Sequence, residues 1–137
     1  FVGKRLPMNI HYAIGNFVND AINERPIIIK GDGKDIRSYL NISDAINWLC
    51  YLLSNENTPE ILNIGSGNPI SIKNLAIKVK NIINPNLQII IKSKPKFSDN
   101  MDRVGYFPNV SKAIALGLKE TITLDSSIKE LAVYNSY

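Results

Sequence analysis

Apolar positions along the chain change spacing several times, and each change marks an element. Ile14, Phe17, Val18, Ala21 and Ile22 recur at the 3.6-residue period, after a turn marked by Pro7, and predict a first helix. Beyond Pro26 the β-branched run Ile27-Ile28-Ile29 is closed by Gly31-Asp32-Gly33 and reads as a buried strand. Ile36, Ser38, Leu40 and Ile42 then alternate with Arg37, Tyr39 and Asn41, which predicts a second strand with two distinct faces. Ser43 and Asp44 offer capping oxygens ahead of Ala45, Trp48, Leu49, Leu52 and Leu53, a second helical stripe.

The pattern switches again over "EILNIGSGNPIS", which predicts a strand over 60–64, a Gly65-Ser66-Gly67 turn and an N-cap at Ser71. A third helix follows, with Ile72, Leu75, Ala76, Val79, Ile82 and Ile83 on one face and a break at Pro85-Asn86. Residues 87–91 form another strand, and the polar, aperiodic stretch 93–102 a long loop, a class often functional. A short strand around Tyr106 and Phe107 leads to Ser111, the N-cap of a brief helix ended by Gly117; Ile128, Leu131 and Ala132 mark a last helix. Strands interleaved with helices make this an α/β chain, with small mixed sheets and helices packed against them.

Composition narrows the classes. At 137 residues, 45% hydrophobic, the chain can bury one core and is short for two, so we read residues 1–137 as one domain. Its net charge of +4 and pI near 9.2 favour an anionic partner. The sixteen basic residues are interleaved with twelve acids, however, and the one dense cluster, "KSKPK" at Lys92, Lys94 and Lys96, reads as a solvated loop rather than a nucleic-acid track. No aromatic platform accompanies it, which argues against RNA. Cys50, at helical spacing among Trp48, Leu49, Leu52 and Leu53, reads as a core thiol, and one His with one Cys gives no soft or borderline metal site. No apolar run approaches the roughly 20 residues of a membrane span, and no signal peptide is evident, so the working expectation is a cytoplasmic protein without a membrane. "FVGKRLP" opens without Met and reads like the middle of an element, so a fragment of a longer chain is expected.

Candidate chemistry is sparse. His11 has no recognisable partner and reads as a packing or surface residue. The pairs Asp32/Asp35 and Asp99/Asp102 sit where turns favour Asp for conformational reasons. Neither glycine turn completes a dinucleotide fingerprint, since Ile36 and Ile70 stand where its third glycine belongs. No Tyr is followed four residues later by Lys. Two of the four arginines, Arg37 and Arg103, each flank a strand beside a turn or loop. A guanidinium fork matches phosphate bidentately, yet on spacing alone a surface pair with a neighbouring Asp is the favoured reading of either arginine.

The order of motifs adds to this. "GDGKDIRSYLNISDA", then "EILNIGSGNPISIKNLA", then "DRVGYFPNVSKAIALGL" resembles the C-terminal half of the NAD-dependent nucleotide-sugar epimerase/dehydratase family, the extended short-chain dehydrogenase/reductases, with dTDP-glucose 4,6-dehydratase-like members most similar in pattern. The likeness runs from Gly3 to about Leu118. It implies the substrate-binding lobe of an enzyme whose N-terminal Rossmann domain, absent here, holds NAD and a Tyr/Lys base. By this resemblance the lobe binds a nucleoside-diphosphate sugar and pairs with its own Rossmann domain in a homodimeric parent that serves surface-polysaccharide synthesis, and the isolated lobe is inactive.

The same resemblance assigns residues. Arg37 matches the Arg that contacts the substrate diphosphate, and Asn63 an Asn at the nucleotide pocket. Ile28 and Lys30 fall on the strand that walls the base. Arg103 matches a further substrate Arg only after a two-residue shift, because Gly105 occupies the expected place. Two other departures are Val2-Gly3-Lys4 in place of Tyr-Gly-Pro and Asn109 in place of Asp. The alternative from another class is a stand-alone nucleotide-sugar or anion-binding module without catalysis.

Overall fold

The computed structural model describes residues 1–8, 10–92 and 105–136. In chain order its elements are α1 (Ala13–Ile22), β1 (Ile27–Ile29), β2 (Ile36–Arg37), α2 (Ile42–Ser54), β3 (Ile70–Ser71), α3 (Ile72–Ile83), β4 (Ile89–Ile91), α4 (Ser111–Ala115) and α5 (Leu124–Asn135). β1 pairs in parallel with β4, Ile27 opposite Ile89, and β2 pairs antiparallel with β3. Small mixed sheets with helices packed against them are the α/β class expected from the pattern.

The main core forms because three amphipathic helices pack on one another, two of them, α1 and α3, also against β1. Ile14, Phe17, Val18 and Ala21 of α1, Leu75, Ala76 and Val79 of α3, and Ile128, Leu131 and Ala132 of α5 are buried together with Ile27, Ile29 and Leu87. α1, α3 and α5 pack on one another, and β1 touches both α1 and α3. Gly15 allows the 5–8 segment to cross α1 closely, since a Cβ there would lie 2.9 Å from the Pro7 carbonyl oxygen. A second cluster gathers Leu40, Ala45, Trp48, Val110, Ala113 and Leu118, with the Trp48 indole N–H donating to the Lys119 carbonyl at 3.2 Å.

Several local expectations change in the folded chain. The second strand stops at Arg37; the extended segment after it makes a single parallel bridge, Val2 to Asn41, and Ile42 already opens α2. Asn41, not Ser43 or Asp44, caps that helix, its side-chain oxygen accepting from the Ser43 N–H at 2.8 Å while its amide donates to the Ser127 hydroxyl at 2.9 Å. The buried Asp44 accepts instead from the Thr121 N–H and hydroxyl and from the Ile122 N–H, which ties α2 to the segment before α5. Cys50 is exposed, not a core thiol, and Leu53 is 88% exposed. The helix buries Ala45 and Trp48 but turns Ile42, Ile46 and Leu49 partly outward, so the apolar stripe is wider than the face its neighbours cover.

Residues 60–64 form no strand, and the strand expected at 87–91 shortens to Ile89–Ile91. Instead of a strand around Tyr106 and Phe107 there is one parallel bridge, Tyr106 to Arg37. Ser111 is the first residue of α4 rather than its cap; Asn109 supplies the oxygen, accepting from the Ser111 N–H at 3.0 Å. The expectations for the loop 93–102, Asp99, Asp102 and Arg103 fall outside the described residues. Ser71 caps α3 as read, accepting from the Asn74 N–H at 3.1 Å. Gly117 follows α4 at φ +83, where a glycine relieves the strain of the left-handed region.

Candidate functional site

A groove of about 1470 Å³ opens along the ends of β1 and β2, larger than the roughly 300–1,000 Å³ typical of small-ligand sites. Its floor is Ile28, Ile29 and Lys30 at the end of β1, continuing through Gly31, Gly33 and Asp35 to Arg37. Asn63, Ile64, Gly65 and Ser66 also line it, together with the exposed aromatics Tyr12, Tyr106 and Phe107. Ile28, Lys30 and Arg37, close in sequence, and the more distant Asn63 therefore line one groove.

Arg37 reaches this position because β2 is pinned on both sides. Its backbone pairs with Ile70 of β3, and the 105–108 segment crosses the other edge, where the Tyr106 N–H donates to the Ile36 carbonyl at 3.1 Å. The half-buried guanidinium donates one hydrogen from Nη1 to that same Ile36 carbonyl at 2.7 Å. A guanidinium carries five such hydrogens, so a fork of donors remains for a ligand. Among the described residues Arg37 forms no salt bridge; the ion pairs are Arg25 with Asp20 and Lys78 with Asp125. The ordinary explanation from spacing, a surface pair with a neighbouring Asp, thus finds no such pair among them.

Electrostatics at the groove centre are set by Arg37 and by burial. Burial pushes the Tyr39 phenol up to about 12, and the Arg37 charge pulls in the opposite direction. Asn63 is exposed and donates to the Asn109 carbonyl at 3.0 Å, which joins the 61–65 segment to the turn before α4. Ser66 is buried, with its hydroxyl donating to Glu120 at 2.9 Å and accepting from the Asn68 N–H at 3.1 Å. Lys34 N–H donates to the Asp32 carboxylate at 3.0 Å, the turn role read for that Asp. His11 is exposed and lies on the groove lining.

The glycine turns of this chain do not fit a dinucleotide. Gly31–Gly33 leads into β2 and Gly65–Gly67 toward β3, so neither joins a parallel strand directly to a helix as the nucleotide cradle requires. Their glycines serve packing: a Cβ on Gly33, at φ +76, would lie 3.0 Å from Lys73 Cβ, and one on Gly65 would lie 2.5 Å from Pro108 Cγ. Among the described residues no group of three His, Cys, Asp or Glu could hold a metal ion, and no helix is long and apolar enough to cross a membrane.

Lys92, Tyr106 and Phe107 are among the groove residues that sequence reasoning missed. Lys92 was assigned to a solvated cluster, yet it lines the groove because β4 lies beside β1, a pairing no local pattern reveals. Tyr106 and Phe107 read as a strand and instead line the groove. Aromatic neighbours just before a helix cap were a visible signal, but their direction depends on the bridge to Arg37.

The groove lies in an α/β frame of the extended short-chain dehydrogenase/reductase type. Residues 3–65 match the NAD dependent epimerase/dehydratase family and belong to it. Over 81% of its length the chain is 31% identical to UDP-glucuronic acid decarboxylase 1 of Arabidopsis thaliana, and over 84% it is 31% identical to dTDP-4-dehydro-6-deoxyglucose reductase of Escherichia coli. It spans only 24% and 35% of those two proteins. Among solved structures, UDP-glucose 4-epimerase of Thermotoga maritima with UDP-glucose superposes on 96% of this chain and 42% of its own, at 22% identity and a TM-score of 0.78. UDP-glucuronic acid 4-epimerase of Bacillus cereus with UDP-glucuronic acid and NAD does so on 96% and 41%, at 22% identity and a TM-score of 0.76. These structural likenesses establish the shared fold.

Proposed function

We propose that this chain is the nucleoside-diphosphate-sugar binding lobe of an NAD-dependent sugar-nucleotide dehydratase or epimerase, similar to the dTDP-glucose 4,6-dehydratases. The observation that carries the reading is the half-buried Arg37, without a described acidic partner, on a groove shared with Asn63, Ile28 and Lys30. In this reading the Arg37 fork takes the diphosphate, Asn63 lies against the nucleotide, and the Ile28 side of β1 walls the base. Arg103 is proposed as a further substrate contact by resemblance alone. Matched structures with UDP-glucose or UDP-glucuronic acid support the substrate class.

NAD, in this proposal, is held by a Rossmann domain outside these residues. That domain would close the open side of the groove and supply the catalytic base, and the parent would act as a dimer in the cytoplasm. The 137-residue chain alone then binds UDP or dTDP but turns over no sugar nucleotide. Isothermal titration of this chain with UDP and dTDP tests the assignment: saturable binding that weakens in Arg37→Ala supports it, and heat-silent titrations with both nucleotides overturn it.

A further inference from the structure

β1 and β4 run in parallel with Ile29 opposite Ile91, and the Lys92 N–H donates to the Ile29 carbonyl at 2.8 Å. That bond carries the register one step past the last paired residues and leaves Lys30 and Lys92 side by side at the ends of adjacent strands, whose spacing is about 4.8 Å. Like charges placed opposite one another on neighbouring strands repel. Here both line the same groove, and neither has a salt bridge to a described residue.

The charge balance of the lining points the same way. Its described acids are Asp20 and Asp35, and Asp20 is already paired with Arg25 at 3.2 Å. The lining carries three described side-chain cations besides, Lys30, Lys92 and Arg37. An ammonium offers three donors and no acceptor, so an oxyanion between the two lysines would relieve their repulsion and satisfy both.

We propose that Lys30 and Lys92 form a second anion subsite in this groove, which takes an oxyanion of the nucleotide sugar in addition to the group gripped by Arg37. The proposal rests on the nucleotide-sugar reading. Its oxyanion has two sources in such a ligand: the diphosphate itself, then held by three cations, or the carboxylate of a sugar acid. Surface lysines at strand ends also serve to discourage edge pairing, and that role predicts no ligand response.

The test compares the wild-type chain, Lys30→Gln/Lys92→Gln and Arg37→Ala in calorimetric titrations with UDP, UDP-glucose and UDP-glucuronate. Loss of roughly tenfold or more in UDP affinity in the double lysine variant assigns the subsite to phosphate. A similar loss confined to UDP-glucuronate assigns it to a carboxylate. Wild-type affinity of the double variant for all three ligands, with Arg37→Ala still impaired, overturns the subsite and leaves the nucleotide reading intact. Should the wild-type chain bind none of the three, the nucleotide reading falls, and NMR titration with inorganic pyrophosphate decides the subsite alone. Shifts of the Lys30 and Lys92 side-chain resonances that are reversed by high salt would retain it; unmoved resonances would discard it. Both lysines are exposed, and Lys30→Arg/Lys92→Arg, which keeps the charge, should bind within a few-fold of wild type.

Discussion

Replacing Arg37 with Ala removes the one groove cation that is already oriented by a backbone acceptor. The structure allows the magnitude to be worked out. One of the five guanidinium hydrogens is spent on the Ile36 carbonyl, so a bidentate contact to phosphate is geometrically available to the others. Each charge-assisted hydrogen bond contributes about 1.5–3 kcal/mol net, and the half-buried setting puts the first of them near that range rather than at the smaller value of an exposed ion pair. Affinity for UDP or dTDP should therefore fall roughly 10- to 150-fold in Arg37→Ala. Arg37→Lys, which keeps the charge without the planar fork, should fall between the two. Calorimetry at fixed ionic strength measures the loss, and a thermal melt guards against unfolding. The melt should change little, because β2 is held by backbone contacts to Ile70 and Tyr106 that do not involve the guanidinium. A second readout is internal: without the Arg37 charge the Tyr39 phenol should titrate at still higher pH, visible by ultraviolet difference spectroscopy. Unchanged nucleotide affinity in a variant whose Tyr39 has shifted would refute the phosphate-fork assignment, since the substitution would then have altered the groove's field without touching a ligand.

Other perturbations probe the frame that holds the groove. The folded-state Tyr39 phenol is raised from 10.0 to about 12, so its contribution to stability is complete below pH 10 and is lost as pH climbs toward 12; urea unfolding across that window should show the decline, flattened in Tyr39→Phe. Asn41→Ala removes a helix cap and the donor to the buried Ser127 hydroxyl, which keeps its own bond to the Thr123 carbonyl, and should cost about 1–2 kcal/mol in denaturant unfolding. Asp44→Ala leaves the N–H groups of Thr121 and Ile122 without their acceptor, which should cost about 2–3 kcal/mol by the same measurement; a cost under about half a kcal/mol would contradict a structural role. Gly33→Ala, at positive φ and against Lys73, should destabilise by at least about 1 kcal/mol and shift the Lys73 backbone amide in NMR spectra.

The helices at 13–22, 72–83 and 124–135 were legible because a 3.6-residue apolar period with clean breaks survives any tertiary context. The short strand at Ile27–Ile29 was legible for its β-branched run and glycine stop. Residues 60–64 show the limit: Ile61, Leu62 and Ile64 have the composition of a strand, but no strand pairs with them in the described structure. Ser43 and Asp44 show another, since several capping oxygens lay within one turn and only the chain's entry angle, set by the Val2–Asn41 bridge, selects Asn41.

Residue order was enough for the α/β class, the main helices and the suspicion about Arg37, because periodicity, turn chemistry and side-chain valence are local properties. Which cations face a common groove is not a local property. Lys92 meets Lys30 through the β1–β4 pairing across some sixty residues, and Tyr106 reaches Arg37 from a distant segment. Cys50 left the core for the same reason: a stripe can state that a helix face is apolar, while whether anything covers it depends on elements folded from elsewhere in the chain.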